Sequence, residues 1–321
     1  MNITQEAAQQ IAWLRGELWW KLDKHQQDIY DELEQKDWQT ALFFCSRRFG
    51  KSYLSIIMAL EYCLKNPGSI VRVAASTYKQ IQDIVEDNMQ PIIQDAPKGL
   101  ITREKASHRY KVGSSSLRLG CIERAHVDTL RGGDANFIIL EEGGSVKSDD
   151  YKYAVRSVLG PQLLRTKGRV LHVTTPSEEE DHMIHEEILP KCELAGTLFV
   201  RDIYANTALS PEDIEAAIEL AGGEHTEEWQ REFLCKIIRV KELTILPEYS
   251  DDLVQEVKRP AYDNPITVID FGGVMDKTVA LAVTYDFKNN KLLVLDECHF
   301  PPNTNTETIV NQVKQMEANL D

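Results

Sequence analysis

No stretch of the sequence approaches the ~18–20 consecutive apolar residues that a membrane-spanning helix requires, and the first residues are polar. Neither a membrane span nor a secretory leader is expected. No CxxC pair occurs among the six cysteines (45, 63, 121, 192, 235, 298), so the usual spacings of a zinc site or a disulfide framework are missing. Most of these cysteines sit in apolar runs and read as reduced core thiols of a cytoplasmic protein. An excess of positive charge is also missing: 36 Lys and Arg stand against 51 Asp and Glu, a net charge of −15. The surface as a whole is therefore not built for indiscriminate nucleic-acid binding, and any DNA contact needs a local basic patch. What remains is an ordinary globular composition, 42% hydrophobic over 321 residues, of a length that suggests two domains.

The most informative stretch is 41–64. Ala41 to Phe44 is an apolar run that reads as a buried strand, a polar loop ends in Gly50-Lys51-Ser52, and apolar residues at 54, 56, 57, 60, 63 and 64 fit one face of a helix. Strand, loop, Gly-Lys-Ser, helix is the pattern of a phosphate-binding loop, here with Cys45 where the full eight-residue pattern has glycine. Backbone N–H groups at a helix N-terminus attract anions. Lys51 would reach the β- and γ-phosphates, and the Ser52 hydroxyl would ligate Mg²⁺.

The rest of the first 240 residues surrounds that loop with alternating elements. Residues 1–36 suit amphipathic helices built on Ile11, Leu14, Leu18, Trp19, Leu22, Ile29, Tyr30 and Leu33. Gln26 could hydrogen-bond an adenine edge through its amide, and Gln27 is equally available by chemistry. A strand at 69–75 and a helix from Tyr78 to Ile93 continue the strand–helix alternation of a mostly parallel sheet covered on both faces. Residues 99–125 look like a hairpin insertion, whose Arg103, Lys105, Arg109 and Lys111 read first as solvated strand faces. Phe137 to Leu140 is a buried strand that delivers Glu141 and Glu142 at its C-terminal end, where ligand crevices of open α/β sheets lie. Glu141 could hold the Mg²⁺ shell, and Glu142 could polarise an attacking water. A helix over 150–165 leads to the strand 170–173, which ends in Thr174-Thr175-Pro176, hydroxyls able to register a γ-phosphate or simply a strand-ending turn. Helices begin after Ser210 and at Thr226, the latter carrying Trp229 and Phe233 as core residues.

Residues 241–265 read as a linker, and a second domain starts at Ile266. Three strands and a helix follow, and Asp270 stands at the end of the first strand, where it would suit a hard divalent cation.

Taken together these motifs resemble the large terminase subunit of tailed bacteriophages over roughly residues 20–300. The resemblance is carried by Ser46-Arg47-Arg48-Phe49-Gly50-Lys51-Ser52 without the first glycine, by Leu130-Arg131-Gly132 followed by the strand ending in Glu141-Glu142, by Thr174-Thr175-Pro176, and by Asp270-Phe271-Gly272. It implies a P-loop NTPase with a mostly parallel central sheet flanked by helices (1–240, with a lid over about 177–240), a linker (241–265), and the N-terminal part of an incomplete RNase H-like α/β nuclease domain (266–321). Residue by residue, it implies Gln26 at the adenine and Ser46, Arg47, Arg48, Phe49, Gly50, Lys51 and Ser52 around ATP. Arg47 would sense the phosphates or bridge to the second acid. Ser52 and Glu141 would serve the Mg²⁺ of ATP, and Glu142 would be the catalytic carboxylate. Arg131 would act in trans on a neighbouring subunit's ATP, and Thr174 and Thr175 would couple hydrolysis to movement.

The partners so implied are double-stranded DNA, the portal protein and procapsid, the small terminase subunit, and further copies in a ring, or a monomer in isolation. The place would be the cytoplasm of the infected bacterial host, at the procapsid portal. Two departures bear on activity. Glu141-Glu142 stands where most of the family has Asp-Glu. Asp270, with weak help from Asp276, Asp296 or Glu297, would be a partial Mg²⁺ or Mn²⁺ site, so the nuclease part is expected to be incomplete and inactive in this chain. Competing readings are a helicase or other DNA-dependent ATPase, and a nucleotide-binding assembly module without turnover. Candidate DNA contacts are Arg103, Lys105, Arg109, Arg165, Lys167 and Arg169.

Overall fold

The computed structural model describes residues 4–238, 253–256, 259–262, 264–272 and 277–320, which form two compact units, Met1–Thr244 and Ile245–Asp321. Asp276 and much of the 241–265 stretch read as a linker lie outside the described residues.

The first unit opens with α1 (Gln5–Arg15) and α2 (Lys24–Glu34). The apolar residues expected to anchor this region divide. Leu18, Leu22, Ile29, Tyr30 and Leu33 are buried, whereas Ile11, Leu14 and Trp19 are exposed, and α1 buries Trp13 instead. Then follow β1 (Thr40–Cys45), α3 (Lys51–Lys65), β2 (Ile70–Ala75) and α4 (Tyr78–Ile93). The segment read as a hairpin insertion is a meander of β3 (Ile101–Glu104), β4 (Arg109–Val112) and β5 (Ser115–Cys121). After β6 (Phe137–Glu141), the expected helix is a composite: α5 (Ser148–Tyr153), a π-helical turn over Ala154–Leu159, and α6 (Gly160–Leu163). β7 (Arg169–Thr174), a second π-turn over Ile184–Ile188, α7 (Leu189–Leu194) and β8 (Leu198–Arg201) follow. Ser210 caps α8 (Pro211–Leu220) through a hydrogen bond from the Asp213 N–H, and a π-turn over Trp229–Phe233 closes the unit.

The eight strands form one sheet in the order β3-β4-β5-β2-β6-β7-β1-β8. From β5 to β8 every neighbouring pair is parallel, and β3 and β4 are antiparallel additions at one edge. The central strands β1 and β6 are almost wholly apolar because both of their faces are covered. Phe43, Val71, Val73, Ile139 and Val173 meet Leu54, Ile57, Leu60 and Val85 of α3 and α4 on one face. Leu42, Phe44, Ile138 and Leu140 meet Tyr151, Val158, Ile184 and Ile188 on the other. Glu61, inside α3, is buried and satisfied by the Leu18 N–H, the Tyr30 hydroxyl and Lys65, which fastens the N-terminal helices to the helix that starts at the phosphate loop.

In the second unit β9 (Ile266–Asp270), β10 (Thr278–Asp286) and β11 (Lys291–Phe300) form an antiparallel sheet in the order β11-β10-β9. Ile309, Val313 and Met316 of α9 (Thr306–Leu320) pack on Ala280, Ala282 and Phe300. All six cysteines are free thiols, five of them buried. Among the described residues no helix is long and apolar enough to cross a membrane.

Candidate active site

Because β7 lies between β1 and β6, the phosphate loop and the acid pair sit about two strand spacings apart, ~10 Å, on the same C-terminal edge. Side chains bridge that gap. Lys51 Nζ lies 3.2 Å from Glu142 Oε1, and Ser52 Oγ donates to Glu141 Oε2 at 2.8 Å. Ser55 donates to the other oxygen of Glu141. A cleft of about 850 Å³ opens here, lined by Arg47, Arg48, Lys51, Glu142, Thr175 and Glu232, with Thr77, Lys79 and Asp83 of the α4 region on the far wall. That volume suits a small-molecule or cofactor site.

The loop is held open from behind. Arg48 (φ 64) and Gly50 (φ 81) are both left-handed, which Gly50 adopts freely. Three successive carbonyls are tied to groups outside the loop. Arg48 O accepts from Asn206 Nδ2 at 2.6 Å, Phe49 O lies 3.0 Å from His25 Nε2, and Gly50 O accepts from Gln26 Nε2 at 2.9 Å. A Cβ on Gly50 would come within 2.4 Å of that Gln26 nitrogen. The N–H groups of Ser46, Arg47 and Phe49 donate to Arg201 O, Glu232 O and Ser46 O, so the start of α3 at Gly50-Lys51-Ser52 is the part of the loop suited to attract an anion. Cys45 is fully buried, and burial pushes its thiol up to about 12, so it behaves as a packing residue at the strand end.

Glu141 is fully buried, and burial pushes its carboxyl up to about 7 against the opposing hydrogen bonds from Ser55 and Ser52. A buried carboxylate beside a serine hydroxyl, all hard oxygen donors, fits a Mg²⁺ ion and is relieved by one. Glu142 is left-handed (φ 51) without being glycine, and its N–H donates to Val173 O at 2.7 Å. Such a backbone costs about 1–2 kcal/mol and here turns the carboxylate back over the cleft. The turn is supported by Gly144, whose N–H donates to Thr174 Oγ1 at 2.8 Å, while the Thr174 hydroxyl donates to Thr175 O at 2.7 Å. A Cβ at Gly144 would lie 2.7 Å from Thr175 O. Thr174 is fully buried, and Thr175 lines the cleft.

Other expected residues stand differently. Gln26 is buried; its Oε1 accepts from the Asp23 N–H at 3.0 Å and its Nε2 serves Gly50, so both amide ends are spent on the backbone. Arg47 does not reach Glu142. It pairs with Glu232, Nε to Oε2 at 2.8 Å, and its N–H donates to the Glu232 carbonyl, also at 2.8 Å. Ser46 is buried, and its hydroxyl has no partner among the described residues. Arg131 is outside the cleft, bonded to Asp128 Oδ1 (2.6 Å), Tyr153 OH (2.7 Å) and Ser157 O (3.3 Å). Several candidate DNA contacts are engaged internally: Arg103 with Glu86, Arg109 with Glu104, Arg165 with Asp134, and Arg169 over the Trp38 ring. In the second unit Asp270 ends β9 and is exposed, and among the described residues no group of three His, Cys, Asp or Glu is placed to hold a metal ion.

Sequence reasoning missed Glu232, Asn206 and His25. Nothing local marks the first two, since they meet the loop only through the fold. His25 adjoins Gln26, and Gly143-Gly144 after the acids was a visible sign of a tight turn.

Residues 42–248 match the family described as "Terminase large subunit, T4likevirus-type, N-terminal". No curated protein matches the sequence. Among solved structures, the fold is similar to a large terminase from a thermophilic bacteriophage in complex with ADP (15% identity, 98% of this chain, 74% of that chain, TM-score 0.51). It is also similar to the Thermus phage P74-26 large terminase ATPase domain (17%, 74% and 100%, 0.52) and to the HK97 bacteriophage large terminase (14%, 92% and 66%, 0.57). At such identities these likenesses speak to the fold, and the family match spans well over half of the chain: the protein belongs to the terminase large subunit family.

Proposed function

We propose that this chain binds ATP with Mg²⁺ at the β1–α3 loop and hydrolyses it to drive double-stranded DNA into a procapsid, as one subunit of a ring. The observation that carries the reading is the convergence of Lys51, Ser52, Glu141 and Glu142 on one cleft from two strands that are not hydrogen-bonded to each other. Ser52 and Glu141 would hold the Mg²⁺, which offsets phosphate charge when bound. Lys51 binds the β- and γ-phosphates, and Glu142 orients and polarises the attacking water. Thr174 and Thr175, beside the Glu142 turn, pass the loss of the γ-phosphate to the rest of the subunit. Arg131, exposed and outside its own cleft, would serve a neighbouring subunit's nucleotide, a role supported by its lying apart from the residues that line this cleft. The thermophilic phage relative was solved with ADP, which supports a nucleotide in this cleft. In this reading the chain works in the cytoplasm of the infected bacterial host at the portal, with the portal protein and the small terminase subunit as partners.

DNA cleavage forms no part of the proposal. A two-metal site needs several carboxylates around ions ~3.5–4 Å apart, and Asp270 supplies one. Steady-state ATP hydrolysis with DNA, compared between the wild type and Glu142→Ala, tests the enzyme reading. Turnover in the wild type that falls about 10²–10⁴-fold in the variant supports it. Equal inactivity of both would leave a nucleotide-binding assembly module.

A further inference from the structure

We propose that the open face of the β3–β4–β5 meander is a docking surface for the phosphate backbone of double-stranded DNA, an inference that rests on the DNA-translocating function above. Strand alternation gives this meander two unlike faces. Tyr110, Val112, Leu117 and Leu119 enter the core beneath α3 and α4. The opposite face carries cations in register: Arg109 on β4 is aligned with Arg118 on β5, and Arg118 with Arg72 on β2. Lys111, exposed, is two residues from Arg109 on the same face and opposite Ser116.

Adjacent strands are ~4.8 Å apart, so Arg109 and Arg118 stand side by side in this row at the surface, while Arg72, one strand further in, is buried. One strand of B-DNA advances ~3.4 Å along its axis per phosphate, so the Arg109–Arg118 pair spans about two phosphates. Like charges directly opposite one another weaken a sheet, and the protein does little to offset this. The carboxylate facing the row, Glu104, pairs with Arg109 at 2.6 Å, but both side chains are about two-fifths exposed, a setting in which ion pairs contribute little. Arg118 Nε has a long contact, 3.5 Å, with Ser116 Oγ. Arg72 is buried and gives one N–H to Gly132 O at 3.0 Å, while its Nε has no partner among the described residues. The half-buried Arg118, the Arg109 paired only at the surface and the exposed Lys111 suit phosphate oxygens, with the buried Arg72 adding positive charge beneath them, and contacts of this kind carry no base preference. On a chain of net charge −15 this face supplies the local basic patch that DNA requires.

The test is the salt dependence of binding of the full chain to a fluorescein-labelled duplex of random sequence, read by anisotropy. Each phosphate contact contributes about 0.9 to the slope of log K against log salt. Arg118→Gln and Lys111→Gln are each expected to lower the slope by about 0.9, and Arg118→Lys to keep it. ATP hydrolysis without DNA stays unchanged in all three. Wild-type slopes in both glutamine variants overturn the surface and leave the packaging function standing. Absence of duplex binding by the wild type overturns both. Loss of self-association in Arg118→Gln, by light scattering, with DNA affinity intact assigns the row to a neighbouring copy and overturns the proposal.

Discussion

Lys51 and Glu142 lie 3.2 Å apart, the amine 8% and the carboxylate 25% exposed, so the cation proposed for phosphate and the acid proposed for water neutralise each other. A nucleotide's phosphates must compete with Glu142 for Lys51. Glu142→Gln should therefore move binding and turnover in opposite directions. ATP affinity should rise about two- to tenfold, for a pair worth roughly 0.4–1.4 kcal/mol, while hydrolysis falls about 10²–10⁴-fold. Nucleotide titration and single-turnover kinetics read the two effects, and weaker binding in the variant would remove the pairing from the mechanism.

Gln26 spends its amide on the Asp23 N–H and the Gly50 carbonyl. Gln26→Ala should then loosen the loop for any nucleoside triphosphate. KM is expected to rise about three- to tenfold for ATP and GTP alike, the loss of one hydrogen bond, with a lower melting temperature. A penalty confined to ATP would return Gln26 to the adenine edge.

Gly144 has no room for a side chain between Thr174 and Thr175. Gly144→Ala should cost about 1–3 kcal/mol by overpacking and slow hydrolysis by shifting the Glu142 turn, with nucleotide affinity nearly kept. Calorimetry alongside the hydrolysis assay checks this, and a variant of unchanged stability and rate would show that the turn yields freely.

Burial pushes His172 down to about 3 and holds His182 and His185 below their ordinary value. An unfolded histidine titrates near 6.5, so below that pH the unfolded chain takes up protons that the folded chain refuses. Their contribution to stability is complete above about 6.5 and is lost as pH falls, at up to about 1.4 kcal/mol per pH unit for each histidine. Urea midpoints at pH 7 and pH 5.5 measure the slope. His172→Gln should flatten it, and an unaltered slope would place the acid sensitivity elsewhere.

The strand–loop–helix of residues 41–64 and the acids that end β6 were legible in the sequence because each is a local pattern: an apolar run, a glycine before a lysine, a charge after a strand. Helix bounds such as Tyr78–Ile93 followed from periodicity in the same way. Partnerships across the fold were not legible. Arg47 sits 185 residues from Glu232, and only the π-turn after α8 brings them together. Arg103 and Arg109 look like one basic cluster in sequence. The alternation of β3 and β4 sends Arg103 onto Tyr110 and Glu86 and leaves Arg109 between Glu104 and Arg118. In α1, a shift of one or two positions around the helix decides whether Trp13 or its neighbours Ile11 and Leu14 face inward, and composition cannot choose.

The carbonyls of the phosphate loop are secured by His25 and Gln26 from before it and by Asn206 from far beyond it. During synthesis, then, β1, the loop and α3 emerge long before the last of their supports. A nascent chain halted ahead of Asn206 has the loop and two of its three supports but lacks the third, so the proposed nucleotide site would take its final shape late, once β8 and the turn after it have docked.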